Sequence, residues 1–189
     1  MGFLEKAVRV AATAKSQFDA VRDVRAQAAV KPVAAAPLSD HDEDVLDRVR
    51  ALGAPDPRLL LLQPEASDAA GTVLGGPHLT YGDDSTGLKF EATGPGGRHW
   101  RAAVSAFHAA DFDTEFDAGA YWFTYLADVV ADDGVPVPGL GQAAIQRESD
   151  LFVLADPLLL MVEVSTPEGG DAARMQQLAR SVLTRLELA

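Results

Sequence analysis

The sequence lacks cysteine and long apolar runs, and each absence excludes a class of protein. A chain of 189 residues without cysteine forms no disulfide, no thiolate metal site and no cysteine nucleophile. No apolar run approaches the length of about 18 residues that predicts a transmembrane helix. The hydrophobic fraction of 48% and the charged fraction of 23% are those of a globular protein, and nothing in them favours export. We therefore expect a globular, cytoplasmic protein.

The sequence also lacks the motifs of the common enzyme classes. Its glycine clusters have neither the lysine of a phosphate-binding loop nor the third glycine of a dinucleotide-binding loop, and no nucleophile elbow surrounds a serine. Acidic pairs such as Asp83–Asp84 and Asp132–Asp133 lie in turn-like segments, where aspartate more often forms turns than catalytic dyads. We expect no enzyme activity, no cofactor and no metal.

Two histidines are the first candidates for chemistry. His99 and His108 lie on or beside one predicted strand, and Asp111 and Asp113 follow. These side chains carry donor atoms suited to a divalent metal ion. A separation of nine residues, however, places the two histidines on opposite faces of a regular strand. Ordinary structural histidines are the favoured interpretation, and an enzyme that uses His99 or His108 with Asp111 is a minor alternative.

Charge divides the chain into a basic start and an acidic body. Residues 1–31 hold six basic and three acidic side chains, a net charge of +3; since the whole chain carries −12, residues 32–189 carry −15. A body so acidic repels the phosphates of nucleic acids and the head groups of anionic lipids. We expect no nucleic-acid partner.

Residues 1–30, here called the arm, predict a basic amphipathic helix. Apolar residues repeat at heptad spacing over the first 28 positions, and a helix of that length reaches about 42 Å. The expected partner contacts are, on the apolar stripe, Leu4, Val8, Ala11, Phe18 and Val21 and, on the basic flank, Lys6, Arg9, Lys15, Arg22 and Arg25.

Four functions of the arm compete. A signal peptide is disfavoured because Arg9 and Lys15 interrupt the apolar run, and Lys6 stands where a myristoylation signal has Ser or Thr. The basic flank suits an anionic membrane surface, but an alanine-rich stripe buries little apolar area and the acidic body opposes approach. Docking on a partner protein, or self-association, is favoured over packing against the chain's own domain.

The rest of the chain predicts a linker and one domain. Residues 31–40 form a Pro/Ala linker, and residues 41–189 an acidic α+β domain with an antiparallel sheet of about five or six strands and flanking helices. The strand "LLLMVEV" is expected at the centre of the sheet, after a hairpin turn at Asp156–Pro157. Helix boundaries are predicted at Ser39 or Asp40 and Leu52, at Pro64 and Gly71, at Asp113 or Thr114, and at Asp171.

The densest aromatic stretch is "AYWFTY", residues 120–125. On the helix predicted there, Phe116 and Phe123 face the core, and the other aromatic residues spread over the flanks. Aromatic residues at a surface are favoured anchors of protein interfaces. The candidate ligand or contact patch comprises Trp100, Tyr121, Trp122 and Tyr125, and a cavity near Trp100, Trp122 and Phe123 is the alternative ligand site.

Three motifs from Asp56 onward resemble the LpqN family of small actinobacterial envelope lipoproteins. They are "DPRLLLLQPEASDAAG", "VPVPGLGQAA" before a hairpin, and the closing "ARMQQLARSVLTRL". The resemblance implies a PsbP-like α+β sandwich and a binding or accessory role without catalytic residues. Arg58 stands where the family has a cysteine, and residues 1–31 show no signal peptide or lipobox. We therefore expect the fold to be shared and the lipid-anchored, exported location not to be.

Together these patterns predict a non-catalytic accessory or adaptor protein. The arm is expected to dock on a protein partner or larger assembly, or to form a homo-oligomer, while the α+β domain serves as a binding module. The alternatives are a small-molecule-binding domain and a peripheral membrane-surface protein held by the arm.

Overall fold

A computed structural model describes residues 29–108, 116–126, 128 and 133–187. The predicted arm helix and all ten of its contact residues lie outside the described residues. Asp111, Asp113 and Thr114 also lie outside them.

The described residues form an α+β fold with a mostly antiparallel open sheet. The helices are α1 (Asp40–Ala51), α2 (Gln63–Ala70), α3 (Ala118–Tyr121) and α4 (Ala172–Glu187). The strands are β1 (Lys31–Pro32), β2 (Gly75–Tyr81), β3 (Ser85–Thr93), β4 (His99–Phe107), β5 (Val135–Pro136), β6 (Ala143–Gln146), β7 (Asp150–Ala155), β8 (Leu158–Thr166) and β9 (Gly169–Gly170).

The predicted fold class is confirmed, but the predicted strand number was too low. The described sheet has nine strands rather than five or six. The six longer strands are those predicted, and the three additional ones, β1, β5 and β9, have two residues each. Two residues cannot display the alternation of apolar and polar side chains that identifies a strand in a sequence.

The strand "LLLMVEV" lies at the centre of the sheet, as predicted. The order is β1-β3-β4-β8-β7-β6-β5, with β2 also paired to β3 and β9 to β8. Neighbouring strands of the described sheet pair antiparallel, and β7 and β8 form the predicted hairpin around Asp156–Pro157. Leu159 and Leu160 of β8 are both buried, and residues 161–164 then alternate between half-buried and buried.

The first face of the sheet carries the main core. Alternate residues of the central strands, such as Val104 on β4 and Val162 on β8, pack there against α2 and α4. On α4 the predicted stripe is confirmed: Met175, Leu178 and Val182 are buried, and Leu186 packs partly against them. Asp171 caps α4 through a 3.1 Å hydrogen bond that the backbone N–H of Arg174 donates to Oδ1.

The second face is covered at one end by α3 and the π-helical turn Trp122–Leu126 that follows it. Here the predictions were wrong in two respects. Asp117, rather than Asp113 or Thr114, caps the helix, accepting a 2.8 Å hydrogen bond from the backbone N–H of Ala120. The buried core contact is made by Ala118, Trp122 and Leu126, since residues four apart share one face of a helix. Of the two aromatic residues predicted to face the core, Phe116 is half-buried and packs against it, whereas Phe123 is exposed.

The predicted 31–40 linker is structured at both ends. Lys31 and Pro32 pair with Thr93 and Ala92 as β1, and the backbone N–H of Val33 donates a 3.0 Å hydrogen bond to the Glu91 carbonyl. At the other end Ser39 caps α1. The arm therefore joins the domain at the edge of the sheet, beside the end of β3.

Candidate functional site

The residues predicted to share an aromatic site lie on opposite faces of the sheet. Trp100 belongs to the core of the first face, with 9% of its surface exposed. Trp122 is 5% exposed in the core of the second face, and Tyr121 packs partly against it. The backbone of Tyr125 lies in the π-helical turn, and its side chain lies outside the described parts. The structure thus replaces the single cavity expected near Trp100, Trp122 and Phe123 with two separate grooves.

The first groove, here called the Trp100 groove, lies where the arm enters the domain. It encloses about 670 Å³ and is lined by Val30, Arg98, Trp100, Glu168, Asp171 and Arg174, among others. The guanidinium of Arg98 lies 5.5 Å from the centre of the Trp100 ring. Arg174 Nε lies 3.2 Å from Asp171 Oδ2. Since two cations face two carboxylates, the groove is polar without an excess of either charge.

The second groove, here called the Phe123 groove, lies between α3 and the β7–β8 turn. It encloses about 740 Å³, and its apolar lining includes Phe116, Phe123, Leu154 and Pro157. The charged residues that line it, Asp117 and Asp156, are both acidic. Phe123 is 74% exposed, the largest fraction of any exposed apolar side chain among the described residues. This groove combines an apolar floor with an acidic rim.

Local structure fixes the outward position of Phe123. Trp122 anchors the turn in the core, so the next side chain along the chain points away from the sheet. The Tyr121 hydroxyl donates a 2.5 Å hydrogen bond to Asp84 Oδ2 and ties α3 to the β2–β3 turn. The Thr124 hydroxyl donates to the Ala120 carbonyl at 2.6 Å, across one turn. Phe123 is thus presented from a segment held by buried and hydrogen-bonded neighbours on both sides.

The two histidines have separate environments, as their spacing predicts. His108 is 3% exposed, and its Nε2 lies 2.9 Å from Thr86 Oγ1. Its backbone N–H donates a 2.8 Å hydrogen bond to the carbonyl of Asp84, which extends the pairing of β3 with β4 by one residue. His99 is exposed on the second face, 3.5 Å from Glu91 Oε1. His108 is thus buried against β3, and the structure does not bring the two histidines together.

The second face of the sheet carries a belt of charged residues beyond α3. Lys89 Nζ lies 3.0 Å from Glu91 Oε2, and Arg101 Nη2 lies 2.9 Å from Glu163 Oε2. Burial raises the pKa of the Glu163 carboxyl above its ordinary value, and the Arg101 guanidinium opposes that shift. Lys89 and Arg101 thus each lie within ion-pair distance of a carboxylate of the belt.

Within the described ranges, no three His, Asp or Glu side chains lie close enough together to hold a metal ion. Within those same ranges, no helix combines the length and the apolar character that crossing a bilayer requires.

Comparison with known proteins identified no relatives: no family model, curated protein or solved structure matches the chain. The predicted likeness to LpqN and to PsbP-like folds therefore stays a prediction. What the site can do must be argued from its own residues.

Sequence reasoning missed the Phe123 groove because its walls come from distant segments. Residues 116–123 supply one wall, and residues 142–143 and 154–157 the other. The available signal was Asp117, a good capping residue four positions before Tyr121. In a helix that begins after Asp117, Trp122 lies four residues from Ala118 on the buried face, and Phe123 lies at the surface.

Proposed function

We propose that this protein is a non-catalytic adaptor whose domain binds a protein partner through the Phe123 groove and whose arm tethers it to an assembly. The observation that carries the proposal is the 74% exposure of Phe123 on an anchored turn beside an apolar groove. The proposal keeps the cytoplasmic location and the absence of enzyme activity expected from the sequence.

Interface energetics support this role. A few aromatic side chains usually carry most of the binding energy of an interface, especially where they meet an apolar pocket with a polar rim. Phe123, Phe116, Leu154 and Pro157 have this arrangement, with Asp117 and Asp156 at the rim. An anchored aromatic residue also loses little conformational entropy on binding, which favours affinity.

Separate variants test the two contacts of the adaptor. Phe123→Glu places a charge in the groove, and deletion of residues 1–28 removes the arm. Both are expected to release the partner that co-purifies with the wild-type protein from its host, as measured by quantitative mass spectrometry of the purified complex. Val73→Glu is the matched control, because Val73 is 64% exposed and does not line the groove.

Two results would contradict the proposal. One is a truncated protein that keeps every native association and its size in solution. The other is equal loss of the partner with Phe123→Glu and Val73→Glu, since a general effect of surface charge would explain it.

A small-molecule-binding domain is the second candidate, and the Trp100 groove favours it. An Arg98 guanidinium over the Trp100 ring offers a flat, charged surface on which a planar or anionic metabolite would stack. Tryptophan fluorescence titrations against a metabolite library test this function, with Arg98→Ala as the variant. A library without a binder at millimolar concentration contradicts it.

A further inference from the structure

We propose that the Phe123 groove of one chain receives the arm of a second copy of the same chain. This inference rests on the proposed function, because it names the occupant of the groove on which that function depends. Phe18 of the arm enters the groove beside Phe123, and the basic residues on either side of Phe18 face the acidic rim.

Chemistry of the groove matches that of the arm. The groove presents apolar side chains flanked by Asp117 and Asp156, and none of its lining residues in the described part of the chain is a lysine or arginine. The arm presents an apolar stripe, and Phe18 is the largest of its predicted contact residues. On a helix, Lys15 and Arg22 lie three positions before and four positions after Phe18, so both flank it. A basic amphipathic helix is the occupant that an acidic-rimmed apolar groove favours.

The distance between Val30 and the Phe123 groove argues against occupation of the groove by the arm of the same chain. The arm enters at Val30, which lines the Trp100 groove together with Thr166 at the end of β8. The Phe123 groove touches Pro157, just before the start of β8. Nine residues of strand separate these two points, a distance of roughly 30 Å. The two grooves also lie toward opposite faces of the sheet.

A helical arm cannot bring its own Phe18 across that distance. Twelve residues separate Phe18 from Val30, and twelve helical residues span about 18 Å. Only the first two turns of the arm, around Leu4 and Val8, extend far enough to approach the groove of their own chain. A second copy has no such limit, because its arm approaches from outside and can seat Phe18 and Val21 together.

The same contact builds a closed assembly when it is reciprocal. Two chains that each seat the other's arm form a dimer with twofold symmetry, whereas arms that pass along a series of chains form an open one. Both arrangements bury Phe123 and offset part of the repulsion between two acidic domains with the basic arms.

The test measures the mass of the full-length chain in solution. Light scattering after size-exclusion chromatography, over a concentration series from about 1 to 100 μM, should give a mass above the 20.0 kDa of one chain. Phe123→Glu and Phe18→Glu should each raise the dissociation constant by at least about tenfold, as expected for a hot-spot residue. The controls are Val73→Glu on the domain and Ser16→Glu on the polar side of the arm, and neither should change the mass.

Mixing the two variants tests whether the arm of one chain occupies the groove of another. Phe18→Glu keeps an intact groove and Phe123→Glu keeps an intact arm, so an equimolar mixture should form a heterodimer that neither variant forms alone. A wild-type chain that stays monomeric across the series overturns the inference. An oligomer that Phe123→Glu leaves intact also overturns it. A third contrary result is a monomer whose hydrodynamic radius increases in both variants, because this would show that the arm packs on its own domain.

These outcomes also separate the inference from the proposed function. If the wild type is monomeric but Phe123→Glu still releases its host partner, the adaptor function stands and the second copy is not the occupant of the groove. If Phe123→Glu dissociates the oligomer, but neither this variant nor removal of the arm changes the host associations, the contact between copies stands and the adaptor function is wrong.

Discussion

At the scale of single residues, Trp122 and Phe123 are neighbours with opposite surroundings. Trp122 is 5% exposed and fills the second core with Phe152 and Leu159. Phe123 is 74% exposed at the groove. One short turn therefore carries an aromatic side chain that contributes to the core and, next to it, one that is accessible at the surface.

Replacing each of these aromatic residues by alanine should therefore have different effects. Trp122→Ala leaves a cavity in the core and is expected to lower the free energy of unfolding by about 3–5 kcal/mol. Phe123→Ala removes little buried surface and should change it by less than about 0.5 kcal/mol. Urea denaturation of both variants at a protein concentration where the chain is monomeric measures the difference. Equal losses would contradict the assignment of Phe123 to the surface.

The second residue-scale prediction concerns pH. Burial holds the pKa of the Glu163 carboxyl above its ordinary value. The folded protein then keeps a proton that the unfolded chain releases near pH 4.3, so the free energy of unfolding falls as the pH rises from about 4.3 through the raised pKa. Glu163→Gln has no proton to release. Its stability relative to the wild type should increase across that same window and become constant above it.

Denaturation midpoints at a series of pH values test the Glu163 prediction. The matched control is Glu168→Gln, which removes the same charge from the exposed β8–β9 turn. Parallel pH profiles for Glu163→Gln and the wild type would contradict the burial of Glu163 in its charged belt.

At the scale of secondary-structure elements, helix α4 depends on its cap. Asp171 accepts a hydrogen bond from the Arg174 backbone N–H, and its own carbonyl accepts one from Met175 at 3.0 Å. Asp171→Ala removes the side-chain bond and should lower the free energy of unfolding by about 1 kcal/mol. Asp171→Asn retains an oxygen acceptor and should cost less. Thermal unfolding followed by circular dichroism compares the two, and equal losses would contradict the cap.

How well each element could be predicted depended on how many residues carry its signal. Helices α1 and α2 have clear ends in the sequence: Ser39 caps α1, and Gly71, in the left-handed conformation with φ 69°, ends α2. The six longer strands have enough residues to show alternation. Helix α3 has four residues, several aspartates before it that could cap it, and no unbroken apolar stripe, so both its start and its buried face were predicted wrongly.

The candidate site was less predictable than the fold for a different reason. Its residues become neighbours only when α3 packs over the turn between β7 and β8, and no spacing within either segment announces that contact. Exposure of Phe123 follows from burial of Trp122, which depends on the shape of the second core. A tertiary contact therefore decides which aromatic residue is available for binding.

At the scale of the whole molecule, charge distribution governs association. Residues 32–189 carry −15, which the +3 of residues 1–31 only partly balances. The arm–groove contact joins the two signs, and raising NaCl from about 50 to 500 mM screens this attraction as well as the repulsion between the two acidic domains. Replacing both rim aspartates, as in Asp117→Asn with Asp156→Asn, removes the attraction, so salt should disfavour association of the wild type more than association of this double variant. Sedimentation equilibrium at several salt concentrations measures both, and an equal salt dependence of the two proteins would contradict a charge-assisted contact.

The short strand β1 also determines how the molecule responds to mechanical load. A pull on the arm reaches the domain through β1, which two residue pairs and the Val33 hydrogen bond hold against β3. The neighbouring β3–β4 ladder has nine residue pairs, so β1 detaches first under tension. Detachment frees the eight residues before Ser39, whose fully extended length is roughly 25–30 Å, while the remaining strands stay paired. A chain pulled through the arm would therefore lengthen in one step before the rest of the domain bears the force.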